Sequence, residues 1–97
     1  MYARVASWHG GDADAIRSAA DEISRRAEEG PPEGVPATGF LLLTDPDNGR
    51  AIAISLFETE DDLRTGDATL NEMSPPGEGM GTRRAVEVYE VAADVRP

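Results

Sequence analysis

The chain of 97 residues contains no cysteine, no lysine and a single histidine, His9. Without cysteine it cannot form a disulfide, a thiolate metal site or a thiol nucleophile. Without lysine it cannot form a Schiff base with a carbonyl substrate. No run of about 18 apolar residues is present, so we expect no membrane-spanning helix. The N-terminus lacks the basic start and apolar region of a signal peptide, and we therefore expect a cytoplasmic protein.

Basic residues are also scarce. The chain has 9 of them, all arginine, against 19 acidic residues, and its formal net charge is −10. Nucleic-acid binding needs a basic stripe that displaces counterions. The adjacent basic pairs are only Arg25-Arg26, which lies among acids, and Arg83-Arg84. We predict no binding to nucleic acid or membrane, and we interpret the acidity as a source of solubility.

The clearest local pattern lies in residues 45–64. Proline followed by Asn48-Gly49 is typical of a hairpin turn, because glycine and asparagine tolerate a positive φ. Residues 51–57 then form a predicted strand. Thr59 is a predicted N-cap, and the acids after it suit the first turn of a helix, where free N–H groups favour negative charge.

The remaining chain supplies one more helix and three more strands. The full set is strands at residues 2–8, 38–44, 51–57 and 85–92, and helices at 13–29 and 60–73. A glycine- and proline-rich loop is predicted at residues 74–81, and we expect it to be mobile or held by a partner chain. Residues 1–93 form one predicted domain and 94–97 a C-terminal tail. The order β-α-β-β-α-β predicts an α+β, ferredoxin-like fold with a four-stranded antiparallel sheet and both helices on one face.

Two strands of this sheet have no polar face. The third strand places Ile52, Ile54 and Leu56 on one face, and alanines, Ser55 and Phe57 on the other. Residues 40–43 of the second strand are all apolar. A strand with one wet face should alternate apolar and polar side chains. Because two helices cover one face only, we predict a homodimer through the open sheet face.

Three candidate ligand-binding residues lie on the first strand. Arg4 either forms an ion pair across the sheet with Glu87 or Glu90, or it anchors an anionic ligand. Pairing across the sheet is the favoured interpretation. Trp8 either stacks on an aromatic ligand or covers an edge of the core. His9 is either a general base or a solvated loop residue, and the two glycines after it favour the second reading.

Two further candidates lie elsewhere. Asn71 on the second helix either orients a substrate or is a solvated helix residue, and Tyr89 on the fourth strand either faces a ligand or packs with its hydroxyl in water. No set of side chains has the spacing of a metal site. No glycine-rich helix start suits a phosphate-bearing cofactor. We therefore expect any chemistry to proceed without metal, heme, flavin or another cofactor.

The sequence resembles the dimeric α/β-barrel superfamily, and within it the antibiotic biosynthesis monooxygenase-like proteins of actinobacterial type. The resemblance rests on the hairpin at residues 45–50, the strand end Ser55-Leu56-Phe57-Glu58, the helix start at residues 59–64 and the closing strand at residues 86–91. It implies a homodimer with a barrel of two sheets. It also implies cofactor-independent oxidation of a small apolar aromatic compound, the alternative being a non-catalytic ligand-binding or accessory dimer of the same fold.

The sequence departs from the heme-degrading relatives within that superfamily. Those proteins carry an asparagine on the first strand and tryptophan and histidine around the third strand and second helix. Here the first strand has no asparagine, and Trp8 and His9 end that strand. The second helix offers Asn71 but no aromatic residue and no histidine. The resemblance therefore does not extend to a heme site.

Overall fold

The computed structural model describes residues 1–73 and 80–96. Its elements in chain order are β1 (Tyr2–His9), α1 (Ala13–Glu28), β2 (Gly39–Asp45), a 3₁₀ turn (Pro46–Asn48), β3 (Arg50–Phe57), α2 (Glu60–Glu72) and β4 (Thr82–Glu90). The predicted β-α-β-β-α-β order is confirmed. The fourth strand begins at Thr82 rather than at residue 85, because it pairs with β1 as far as His9. Within the described residues, no helix is long and apolar enough to cross a membrane.

The four strands form one antiparallel sheet in the order β2-β3-β1-β4. Ala6 in the middle of β1 lies between Ala53 on β3 and Val86 on β4. Residues directly opposite each other on neighbouring strands point to the same face of the sheet, so these three residues share one face. Ala6 is fully buried on that face, beneath the helices. The predicted ferredoxin-like architecture is confirmed.

Both helices begin at an N-cap side chain, and that of α2 is the predicted Thr59. The Asp12 carboxylate accepts a hydrogen bond of 3.1 Å from the backbone N–H of Ala15 at the start of α1. The Thr59 hydroxyl accepts one of 3.1 Å from the N–H of Asp62 at the start of α2. These side chains satisfy N–H groups that have no partner inside the helix.

The predicted hairpin turn contains a single 3₁₀ turn that ends at Gly49, with φ of 66°. A Cβ there would lie 2.8 Å from the carbonyl oxygen of Gly11, so the close approach of two loops also requires glycine. The Arg50 guanidinium and the Asn48 amide both donate to the Asp45 carboxylate. These two hydrogen bonds lower the pKa of Asp45, and the one from Arg50 has the larger effect.

Most of the buried apolar residues form two separate clusters on the helix face of the sheet. The cluster under α1 consists of Ile16, Ala19, Ala51 and Met80, with Trp8 packed against it. The cluster under α2 consists of Val35, Phe57 and Leu63, with Tyr2, Ala37 and Leu70 packed against it. Between the two clusters, β1 and β3 present the buried polar residues Arg4 and Ser55. The candidate site lies in this gap.

The predicted loop at residues 74–81 falls mostly outside the described residues, so its mobility stays a prediction. Its last two residues are described. Met80 is 3% exposed and packs in the cluster under α1. Gly81 has φ of 92°. The loop therefore returns to the core immediately before β4 begins.

Candidate functional site

A pocket of about 270 Å³ lies between the helices and the sheet, in the gap between the two core clusters. Its walls are largely apolar, with contributions from both helices, from β1, β2 and β3, and from Met73 and Met80 outside these elements. These wall residues include Trp8, Phe40, Leu42, Leu70, Met73 and Met80. Arg4, Asn71 and Arg83 also line it and form a polar end. An apolar cavity with a few converging polar groups is the usual form of a small-molecule site.

Arg4 is the most buried charged residue of the site, with 5% of its surface exposed. Its Nε donates a hydrogen bond of 2.6 Å to Asp67 Oδ1, and its Nη2 donates one of 3.0 Å to Asn71 Oδ1. Both partners lie on α2. A buried guanidinium needs such a counter-charge, because an unpaired charge away from water is costly. The Arg4–Asp67 pair therefore joins β1 to α2 at the pocket.

The favoured prediction for Arg4, pairing across the sheet with Glu87 or Glu90, is wrong. Arg4 lies opposite Val88 in the β1–β4 register. Glu87 lies opposite Val5, on the other face of the sheet. Glu90 lies opposite Tyr2, at the end of the strand. The helix above the sheet supplies the partner instead.

Asn71 holds the two arginines of the pocket together. Its Oδ1 accepts from Arg4 and also from Arg83 Nη1, at 3.1 Å. Because the oxygen is occupied by two guanidinium donors, the Nδ2 amino group is the side that remains to donate to a ligand. Asn71 therefore lies at the pocket, and its role in orienting a substrate stays a prediction.

Arg83 reaches the pocket because of an irregularity in β4. The β1–β4 register shifts between Ser7 and Trp8, so that Ala85 lies opposite Ser7 and Arg83 opposite Trp8. Arg84 is the extra residue of this β-bulge. A β-bulge changes the direction in which side chains point, and bulges are common beside functional sites. The bulge places Arg83 on the same face as Trp8, next to the pocket.

Trp8 covers the edge of the core, and its stacking on a ligand stays a prediction. It packs against the cluster under α1 and also lines the pocket. His9 does not line this pocket. It is an exposed residue at the end of β1, beside a second depression of about 220 Å³ near the β2–β3 hairpin. His9 and Asn71 therefore do not line the same pocket.

Tyr89 lies on the opposite, open face of the sheet. It is opposite Ala3 in the β1–β4 register and is 51% exposed. Its hydroxyl donates a hydrogen bond of 2.6 Å to Glu87 Oε2. The hydrogen bond to this carboxylate, and then its negative charge, raise the pKa of Tyr89. The structure therefore separates Tyr89 from Arg4, Trp8 and Asn71.

No family model and no curated protein sequence matches the chain. A search of solved structures finds the heme-degrader MhuD from Mycobacterium tuberculosis, in a structure with two hemes bound in its active site. The TM-score is 0.66 and the sequence identity 17%, over 99% of this chain and 100% of that chain. The chain thus shares its overall fold with this solved structure, and that fold is the ferredoxin-like arrangement that the sequence predicts.

The residues of the pocket do not suit a heme. Heme iron takes histidine, cysteine or tyrosine as its main axial ligand, with methionine as a second ligand beside histidine. The single histidine and both tyrosines, Tyr2 and Tyr89, lie outside the lining of the pocket. Met73 and Met80 line the pocket without a histidine beside them. Among the described residues, no group of three metal-ligating side chains converges.

Proposed function

We propose that the protein binds a small, flat, apolar compound in the pocket between its helices and sheet. The observation that carries this proposal is the pocket itself, which joins the Trp8 ring and apolar walls to the Arg4–Asn71–Arg83 end. Its volume of about 270 Å³ is at the lower limit of ordinary ligand sites, which span about 300–1,000 Å³. It therefore suits a compound of a few fused rings, held by stacking and by one polar group.

The reaction that we propose for this pocket is oxidation by O₂ without a cofactor. An anthrone-like methylene would be converted to a carbonyl, CH₂ + O₂ → C=O + H₂O, with the substrate as the electron source. The reactive species would be the substrate anion. Arg83, with the Asn71 amide, would stabilise that anion, because preorganised donors act strongly in a water-poor site. The resemblance to monooxygenases supports this choice of reaction.

Non-catalytic binding of the same compound is the second candidate, and one observation favours it. No carboxylate or imidazole lines the pocket in the part of the chain that the structure describes. The Asp67 carboxylate does not line the pocket and is paired with Arg4 at 2.6 Å. A general base must lie within hydrogen-bonding reach of the proton that it removes. The described residues therefore offer no general base at the pocket, and non-catalytic binding requires none.

One experiment separates the two functions. The purified protein is titrated with anthrone-like and phenolic compounds by calorimetry, and O₂ uptake is recorded with each compound that binds. Binding with O₂ uptake and carbonyl formation supports the oxygenase. Binding without O₂ uptake supports the accessory role, and no binding by any compound refutes both. The protein is also assayed for metal and absorbing cofactor, because either in stoichiometric amount in active protein contradicts cofactor-free oxidation.

A variant of Asn71 links the activity to this pocket. Asn71→Ala removes an amide that lines the pocket, while Glu72→Ala changes the next helix residue, which does not line it. Both positions are exposed at the end of α2, so we expect both variants to fold. We expect Asn71→Ala to weaken ligand binding about tenfold, the typical effect of losing one hydrogen bond to a charged group. Equal losses in both variants would place the ligand elsewhere.

We further propose that the protein is a homodimer through the open sheet face. Leu41 and Leu43 on this face are 53% and 49% exposed in the single chain. Ile52, Ile54 and Leu56 adjoin them on β3 and are half-buried. A contiguous apolar patch of this kind usually marks an interface. A second copy offers a matching surface, as the resemblance to dimeric α/β barrels implies.

Light scattering of two variants tests the dimer. Leu41→Glu puts a charge in the proposed interface, whereas Val88→Glu puts the same charge at a residue of equal exposure on the helix face. We expect wild type and Val88→Glu to have the dimer mass at micromolar concentration, and Leu41→Glu the monomer mass. A monomeric wild-type protein would refute the proposal.

A further inference from the structure

The arginines of this chain are almost all neutralised by neighbouring carboxylates. Within the described residues seven form ion pairs, namely Arg4, Arg17, Arg25, Arg26, Arg50, Arg64 and Arg96. Arg83 and Arg84 form none there. In a chain with a formal net charge of −10, two such cations are exceptional. Of these two, Arg83 lines the pocket.

The charge of the pocket follows from these contacts. Arg4 is balanced by Asp67, whose Oδ1 lies 2.6 Å from the guanidinium. Within the described residues, the hydrogen-bond partner of the Arg83 side chain is the neutral amide of Asn71, at 3.1 Å. No carboxylate lines the pocket among the described residues. The polar end therefore carries about one uncompensated positive charge beside an apolar cavity.

We infer that the ligand of this pocket is an aromatic compound carrying one anionic oxygen group, and that Arg83 is the residue that selects it. This inference rests on the proposed small-molecule pocket and adds the charge of its ligand. A carboxylate or phenolate would complete the charge balance and accept hydrogen bonds from Arg83 and the amino group of Asn71. The flat apolar part would lie along Trp8. Arg4, held by Asp67, would position Asn71 rather than provide the charge.

The β-bulge makes this role specific to Arg83. Without the register shift at Ser7 and Trp8, Arg84 would take the place opposite Trp8. Arg84 does not line the pocket, although it is exposed and forms no ion pair within the described residues. The neighbouring arginines thus differ in position but not in charge. Arg84 is therefore the matched control for Arg83.

The test is calorimetric titration with three naphthalene probes of similar shape. 2-Naphthoate carries a carboxylate, 2-naphthol is a phenol that ionises at high pH, and 2-naphthamide is uncharged. We expect wild type to bind an anionic probe about tenfold tighter than the amide, as one charge-assisted hydrogen bond allows. The preference should shrink with added salt, because Arg83 is exposed to solvent. If the protein prefers 2-naphthoate, the anionic group of the ligand is a carboxylate. If the affinity for 2-naphthol rises as the naphthol ionises, the group is a phenolate.

Three variants decide the role of Arg83. Arg83→Gln should lose the preference for the anionic probe, while its affinity for the amide should change by less than about twofold. Arg83→Lys should retain most of the preference for the anionic probe. Arg84→Gln should leave all affinities within about twofold. Equal binding of anion and amide by wild type, or equal losses in Arg83→Gln and Arg84→Gln, would overturn the inference while leaving the pocket in place. No binding of any probe would overturn the proposed function and the inference together.

Discussion

Gly66, in the middle of α2, gives the sharpest test of the packing argument. By helix propensity alone, Gly66→Ala should stabilise the protein by about 1 kcal/mol. The structure opposes this expectation. A Cβ on Gly66 would lie 2.5 Å from Phe57 Cε1 and 2.6 Å from Phe57 Cζ. Phe57 is fully buried, so its ring has no open space into which to move.

The magnitude follows from these two opposing effects. Carbon atoms in contact are separated by about 3.5–4.0 Å, so the added methyl group is about 1 Å too close. Overpacking of this kind costs about 1–3 kcal/mol. After the propensity gain, we expect Gly66→Ala to lower the free energy of unfolding by about 1 kcal/mol. For a domain of this size, the melting temperature should fall by about 4–8 °C.

Two controls isolate the cause. Ala68→Gly, at an exposed position of α2, should cost about 1 kcal/mol and so calibrate the helix propensity. Phe57→Leu removes the two ring atoms that meet the added methyl group. In that background Gly66→Ala should become stabilising, which denaturant unfolding of the four combinations measures. A Gly66→Ala protein more stable than wild type would refute the packing argument.

Two further predictions concern single side chains. Thr59→Ala removes the acceptor for the N–H of Asp62 and should lower the free energy of unfolding by about 1 kcal/mol. Thr65→Ala, at an exposed position later in α2, should not lower it. Chemical denaturation of the two variants measures the difference. Glu87→Gln should move the pKa of Tyr89 down towards its ordinary value, because the carboxylate favours the neutral phenol. The contribution of this pair to stability is present below the ordinary tyrosine pKa and lost as pH rises through the raised value, and tyrosinate absorbance measures the shift.

The fold was predictable because its determinants are local. The N-caps Asp12 and Thr59 and the turn glycine Gly49 act within a few residues of the chain. Apolar alternation in β3 assigned Phe57 to one face and Ile54 to the other without any knowledge of the partner strands. These features depend on spacing along the chain, which the sequence displays directly.

The candidate site was predictable only in part, because its contacts are long-range. Arg4 and Asn71 were identified as candidates, but Asp67 was not, since it is 63 positions from Arg4 and no local pattern links them. Tyr89 was grouped with them because the β1–β4 register is not visible in the sequence. Arg83 was missed for the same reason, and its place beside the pocket also requires a bulge. The adjacent pair Arg83-Arg84, outside the acidic stretches, was the only available signal.

Glycine contacts at one end of the sheet explain how these distant parts reach the pocket. The structure packs Gly81 against residues 9–11, at the end of β1. A Cβ on Gly81 would lie 2.1 Å from the His9 carbonyl oxygen and 2.7 Å from the Gly11 nitrogen. This close approach, with φ of 92°, brings the chain back to the core at Met80 and starts β4 beside the end of β1. The position of Arg83 therefore depends on a backbone contact that no side chain in the sequence indicates.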